Sequence, residues 1–230
     1  MNPELKKFVE KYISYVEENK IDALYRCLKN ETEIEASSLT AVLKEAGIEP
    51  LDFMTKIQPN MYRRDMDLLR MIIPDHIQKI GPRAFMDCIF LKEVLIPQSC
   101  TGVGRQAFMN CYQLQHVIIK NGVQTLYPEA FCNCEKIVDI TLPDSLTELY
   151  PGVFRECRNL KHVTLSKYIS SLPSGLFDMC LQLEHIYFGG TDADWDNLPK
   201  QDSWLPKLPH DVTIHCANGV NYTYRDQVKV

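Results

Sequence analysis

The chain of 230 residues lacks the features that would point to a membrane, a nucleic acid or an exported protein. No run of about 18 apolar residues occurs, so we expect no transmembrane helix and no membrane partner. The formal net charge of −5 is spread evenly and offers no basic surface for a nucleic acid. The N-terminal "MNPELKKFVEKYISYVEENK" lacks the apolar core of a signal peptide, and we therefore expect a cytoplasmic protein.

Motifs of common enzyme classes are also missing. The sequence contains no "GxSxG", no "GxxxxGKS" or "GxxxxGKT", no "GxGxxG" that opens a helix and no "HExxH". The acidic residues form no convincing pair for a shared cleft. We therefore predict a non-enzymatic protein with no catalytic residue, no cofactor and no bound metal.

What the sequence does contain is a repeat of 23 residues. A phenylalanine recurs at this interval, and a cysteine follows it three places later each time: Phe85, Phe108, Phe131, Phe154 and Phe177, then Cys88, Cys111, Cys134, Cys157 and Cys180. Further along each copy, two aliphatic residues stand two places apart, as in Val94 and Ile96, which is the period of a strand. Self-similarity at a fixed period of this length predicts a solenoid, whose coils bury their apolar sides by stacking.

The repeat resembles the BspA-type leucine-rich repeat, whose consensus is roughly "IGxxAFxxCxxLxxIxIPxSVTx". The stretch "IGPRAFMDCIFLKEVLIPQSC", from Ile80 to Cys100, matches it almost position by position, and the resemblance covers about residues 62–216. Tyr127 and Tyr150 depart from it, because glycine is usual there. The resemblance implies a right-handed solenoid with a parallel β-sheet on its concave side. It also implies occurrence in host-associated bacteria and their mobile elements, often as surface adhesins.

We predict an α/β solenoid with three regions. Residues 1–60 are expected to form a helical N-terminal cap that includes a short helix reaching Ile57; a separate partner-binding helical domain is the alternative. Residues 61–188 are expected to hold the repeats, with a degenerate first coil around Tyr62. Residues 189–230 are expected to form the C-terminal cap, with Trp195 closing the last coil, "DVTIHC" as a terminal strand and a frayed tail from Asn218 onwards.

The nine cysteines raise the question of disulfides or a metal site. Five thiols stacked at one coil per step lie about 5 Å apart, which falls within the range of a disulfide. A tetrahedral metal site needs four converging ligands, and a straight column does not converge. Since cysteine also packs as a small buried apolar residue, we interpret the cysteines as reduced and structural.

The outward positions of the predicted strands are the candidate partner-binding residues. The first outward column is Arg70, Glu93, His116, Asp139, His162 and His185, and the second is Ile72, Leu95, Ile118, Thr141, Thr164 and Tyr187. Exposed aliphatic residues in a row favour a protein-binding patch, and a solvated face without a ligand is the alternative. Histidine and aspartate in the first column suggest a metal site, but we favour a solvated polar ladder.

These observations together predict a protein–protein interaction module, whose rigid preformed face loses little entropy on binding. The partner is expected to be a protein of unknown identity. An inhibitor of a host enzyme or defence complex, encoded by a phage or another mobile element, is one alternative. A bacterial surface adhesin or a self-associating scaffold is another, although we expect a monomer.

Overall fold

The computed structural model describes residue 51, residues 55–225 and residues 228–230. The predicted helical cap therefore lies almost entirely outside the described residues. At its C-terminal end the prediction is wrong, because Ile57 belongs to strand β1 (Lys56–Ile57) and not to a helix. The reason is the repeat itself: Ile57 precedes Ile80 by one period and pairs with it in register.

Every coil contributes one strand to a main face. The strands of this face are β2 (Arg70–Ile72), β4 (Glu93–Ile96), β6 (His116–Ile119), β8 (Asp139–Thr141), β10 (His162–Leu165) and β11 (His185–Phe188). Paired neighbours are parallel, and each residue stands opposite the one 23 positions later, as Met71 does with Val94. The prediction of a parallel-strand solenoid with 23-residue coils is confirmed.

A second sheet runs along another side of the solenoid. It has five strands, namely β1, β3 (Lys79–Ile80), β5 (Gly102–Val103), β7 (Thr125–Leu126) and β9 (Glu148–Leu149). The assignment to the α/β class is wrong for the described residues, which are almost all strand and turn. Their one α-helix is α1 (Asp192–Asn197), and none of their helices has the length and apolar character needed to cross a bilayer.

The turn that carries each phenylalanine requires two residues in the left-handed backbone region. In one coil these are Gln106, with φ of 57°, and Asn110, with φ of 62°. Glycine and asparagine tolerate this conformation best, and glycine takes the first position in two later coils, at Gly152 and Gly175. The second positions also form a side-chain ladder, in which Asn133 donates to Asn110 at 3.0 Å and Asn110 donates to Asp87 at 2.8 Å.

The core is built from stacked copies of the same side chain. Phenylalanine rings of successive coils lie nearly parallel, with centroids 4.9 Å apart for Phe85 and Phe108 and 5.2 Å apart for Phe108 and Phe131. Tyr62 extends this column by one coil, 5.1 Å from Phe85. These rings are fully buried. The column therefore joins the coils by repeated contacts between identical aromatic faces.

The cysteine column has a role beyond filling space. Each thiol donates a hydrogen bond to the carbonyl oxygen 26 residues earlier, as Cys111 does to Phe85 at 3.2 Å and Cys134 to Phe108 at 3.2 Å. All cysteines of the described residues are free and buried, and their burial agrees with the interpretation of the column as packing. Burial raises the pKa of these thiols, to about 12 for Cys88, and keeps them in the protonated form that donates.

The C-terminal end of the solenoid is closed by aromatic packing. Helix α1 begins after Thr191, which forms a capping box with Asp194. Trp195 is fully buried, packs edge-on against Phe188 at 5.2 Å and closes the last coil as predicted. Strand β12 (Val212–Cys216) extends the main face in parallel. The prediction of a frayed tail is wrong, since β13 (Asn221–Arg225) and β14 (Val228–Lys229) add to that sheet in antiparallel order.

Candidate interaction face

The outward columns of the main face lie where the sequence places them. Arg70, Glu93 and His116 stand opposite one another across β2, β4 and β6, and the second column continues alongside. The remaining members occupy β8, β10 and β11 in the same way: Asp139, His162 and His185, with Thr141, Thr164 and Tyr187. Ile72, Ile118 and Tyr187 are the exposed large apolar residues of these columns, with exposed fractions of 57%, 42% and 42%.

The main face is interrupted in the middle. Strand β6 is the edge of a three-stranded sheet, and β8 is the edge of a separate six-stranded sheet. The prediction of continuous columns is therefore wrong at this point, because His116 and Ile118 have no register partner in β8. The interruption is confined to this side: β7 pairs with both β5 and β9, and the rings of Phe108 and Phe131 stay 5.2 Å apart.

The interruption opens a groove of about 790 Å³, which we call the β6–β8 groove. Its lining consists of Glu93, Gln115, His116, Val117, Ile118, Lys136, Val138 and Asp139. Val117 is an inward residue that is only partly buried, whereas its counterparts Val94 and Val163 are fully buried. The groove thus has an apolar floor and charged groups of both signs along its rim.

Contacts between neighbouring strands, one an ion pair and one a short hydrogen bond, hold the side chains of the first column on either side of this groove. Arg70 binds Glu93 with two contacts, Nε to Oε2 at 2.9 Å and Nη2 to Oε1 at 3.0 Å. On the other side, His162 Nδ1 lies 2.5 Å from Asp139 Oδ1. Both pairs join residues one period apart, so the repeat itself brings them together.

Two side chains that the sequence analysis did not include complete a cluster at the C-terminal half of the face. His215, on β12, brings its Nε2 atom to 3.1 Å from Nδ1 of His185, and its ring stacks on Tyr187 with centroids 4.7 Å apart. Glu184 precedes His185 and accepts a bond from Lys161 at 3.1 Å. The strand period in "DVTIHC" already indicates that His215 points outward, because Val212 and Ile214 point inward.

The electrostatic environment sets the protonation states of His185 and Glu184 in this cluster. Burial lowers the pKa of the His185 imidazole, and positive charge on His215 or His162 would lower it further, so His185 is neutral at pH 7. The hydrogen bond from Lys161 lowers the pKa of Glu184, which is therefore ionised. Among the described residues, one group of three side chains brings metal-ligating atoms within 4.8 Å of one another: His162, Glu184 and His185.

Comparison with known proteins identifies the repeat. The family model described as the BspA type leucine rich repeat region matches residues 55–184 in six copies, which is more than half of the chain. No curated protein matches the chain.

Solved structures agree with this match in their fold. A leucine-rich repeat protein from T. pallidum is similar over 66% of this chain and 74% of its own, at 23% identity and a TM-score of 0.54. The pneumococcal vaccine antigen PcpA is similar over 67% of this chain, at 18% identity and a TM-score of 0.52. The matching region corresponds to 39% of that antigen. At these identities the likeness is one of fold.

Proposed function

The chain belongs to the BspA-type leucine-rich repeat family, and from that premise we propose that its outward main face binds a protein partner. Leucine-rich repeat solenoids generally act as protein-interaction modules and are generally not enzymes. The observation that carries the proposal is the β6–β8 groove. It is preformed, so little conformational entropy is lost when a partner enters it.

The groove favours an extended segment of a partner protein. One edge of β6 and one edge of β8 face the groove, and neither edge pairs with another described strand. Backbone groups along such edges can form hydrogen bonds with a partner segment that lies over the groove, and pockets beside them select side chains. The two strands lie too close together to admit a complete strand between them. Ile118 and Val138, exposed by 42% and 40%, would contact small apolar side chains of that segment. Lys136 and Asp139 at the rim would bind polar groups next to them.

The other predicted roles differ in the partner and in the location of the protein. A surface adhesin is the second candidate; it rests on what membership of the family implies and not on the likeness to the vaccine antigen, which is one of fold. The cytoplasmic location, the inhibitor of a host complex, the self-associating scaffold and the monomeric state stay predictions. Light scattering on the purified protein tests the last two, because a scaffold would exceed the mass of one chain, 26.6 kDa.

Affinity capture with matched charge variants tests the face. Ile118→Glu and Val138→Glu place a carboxylate in the β6–β8 groove, whereas Tyr150→Glu places one at a similarly exposed apolar residue, 39% exposed, beyond the end of β9. We expect a protein captured by the wild type and by Tyr150→Glu to be lost from both groove variants. Amide hydrogen exchange should also slow in β6 and β8 when that protein binds.

Two results would contradict the proposal. One is equal capture by all three variants, and the other is capture without any slowing of exchange in β6 and β8. Circular dichroism must show that each variant is folded before the comparison is made, which is expected because the three positions are exposed.

A further inference from the structure

We propose that His162, His185 and Glu184 form a binding site for a divalent transition-metal ion of the zinc class. The site lies on β10 and β11, away from the floor of the β6–β8 groove, and does not depend on the function proposed for that groove. The sequence analysis favours a solvated polar ladder for the histidines of the first column. The contacts described below favour a metal site for two of them.

The strand register brings the ligands together. His162 and His185 stand directly opposite each other on parallel strands, and their rings stack with centroids 5.6 Å apart. Glu184 comes from the residue before His185. One ring nitrogen of each histidine and one carboxylate oxygen of Glu184 lie within 4.8 Å of one another. Ligands held about 2.1 Å from a tetrahedral zinc ion are about 3.4 Å apart, so modest side-chain rotations close the site.

Both imidazoles are already oriented through their Nδ1 atoms. His162 Nδ1 contacts the Asp139 carboxylate at 2.5 Å, and His185 Nδ1 contacts His215 Nε2 at 3.1 Å. Metal-binding histidines commonly use one ring nitrogen for such a bond and the other for the ion. The Nε2 atoms of His162 and His185 are therefore the ones available to a metal. Asp139 and His215 act as positioning residues and not as ligands in this arrangement.

The donor set selects the kind of ion. Two imidazoles and one carboxylate suit zinc, nickel, cobalt or copper, whereas calcium and magnesium prefer oxygen ligands alone. Three protein ligands leave a fourth position for water or for a side chain of a partner. One group opposes binding: Lys161 holds Glu184 at 3.1 Å, and its ammonium group must give up that carboxylate when the ion enters.

Calorimetric titration of the untagged full chain with zinc chloride tests the site. We expect one zinc ion per chain and loss of binding in His185→Gln. Asp139→Asn should weaken binding by about 10–100-fold, because the orienting carboxylate is removed. Lys161→Gln should strengthen binding several-fold, since Glu184 is released. His116→Gln is the matched control, because His116 belongs to the same outward column but lies on the far side of the groove, and it should bind zinc as the wild type does.

Cobalt substitution gives a second readout. A cobalt ion bound by nitrogen and oxygen alone should show the visible bands of a tetrahedral or five-coordinate site, without the charge-transfer band of a thiolate ligand. No heat with the wild type would overturn the proposal. Binding that survives His185→Gln, or that shows a thiolate band, would also overturn it, because the ion would then be held elsewhere in the chain.

Discussion

Replacing Phe131 by alanine tests how the solenoid holds its coils together. Phe131 lies in the middle of the phenylalanine column and is fully buried. Its ring stacks on two neighbours, Phe108 with centroids 5.2 Å apart and Phe154 with centroids 6.0 Å apart. Removal of this ring therefore disrupts the contacts on both sides of one coil.

The matched control is Phe177→Ala, the same truncation at the end of the column. Phe177 is equally buried, but within the described residues it stacks on one ring, that of Phe154 at 6.1 Å. Truncation of a buried phenylalanine costs about 3–5 kcal/mol at either position. An aromatic pair contributes about 0.5–1.5 kcal/mol beyond its buried area, so Phe131→Ala should lose about that much more than Phe177→Ala.

Urea unfolding of both variants, followed by circular dichroism, measures the difference. We expect the Phe131→Ala transition at the lower urea concentration with a similar slope, so that the midpoints reflect the free energy of unfolding. Equal midpoints, or a lower midpoint for Phe177→Ala, would refute the view that stacking between neighbouring coils stabilises the solenoid. In that case burial alone would account for the constant spacing of the rings along the chain.

Two further predictions concern the turns and the thiols. Asn133 Oδ1 is buried without a hydrogen-bond partner, so Glu156→Asn, one coil later, should donate to it and raise the free energy of unfolding by about 1 kcal/mol. Glu156 has a φ of 61°, which asparagine tolerates better than glutamate, so the control is the same substitution in an Asn133→Ala background, where the gain should be smaller; an equal gain in both backgrounds would contradict this. Burial raises the pKa of the Cys88 thiol from 9.0 to about 12. The protonated thiol therefore contributes fully to the free energy of unfolding below pH 9, and this contribution is lost at about 1.4 kcal/mol per pH unit as the pH rises towards 12. The free energy of unfolding of Cys88→Ala should fall less steeply over this range, and a slope equal to that of the wild type would contradict this.

The repeat in the sequence predicts most of the solenoid because its period has no insertions. A constant interval of 23 residues places a phenylalanine and a cysteine, such as Phe131 and Cys134, at the same point of each coil. The alternation around Val94 and Ile96 shows which side chains point inward. The second sheet was not predicted, because its strands are only two residues long, as in Thr125–Leu126, and show no alternation. The sequence predicts a helix at Ile57, where the structure has a strand, since one apolar residue fits either period.

The candidate sites depend both on the sequence pattern and on the tertiary structure. The coil length, the inward and outward columns and the pairing of His162 with His185 can be read from the sequence alone, because register in a solenoid follows directly from the period. The opening of the main face between β6 and β8 and the contact of His215 with His185 are seen only in the folded chain. The period sets which residues stand opposite one another, whereas the distance between two successive strands depends on the packing of all the side chains around them.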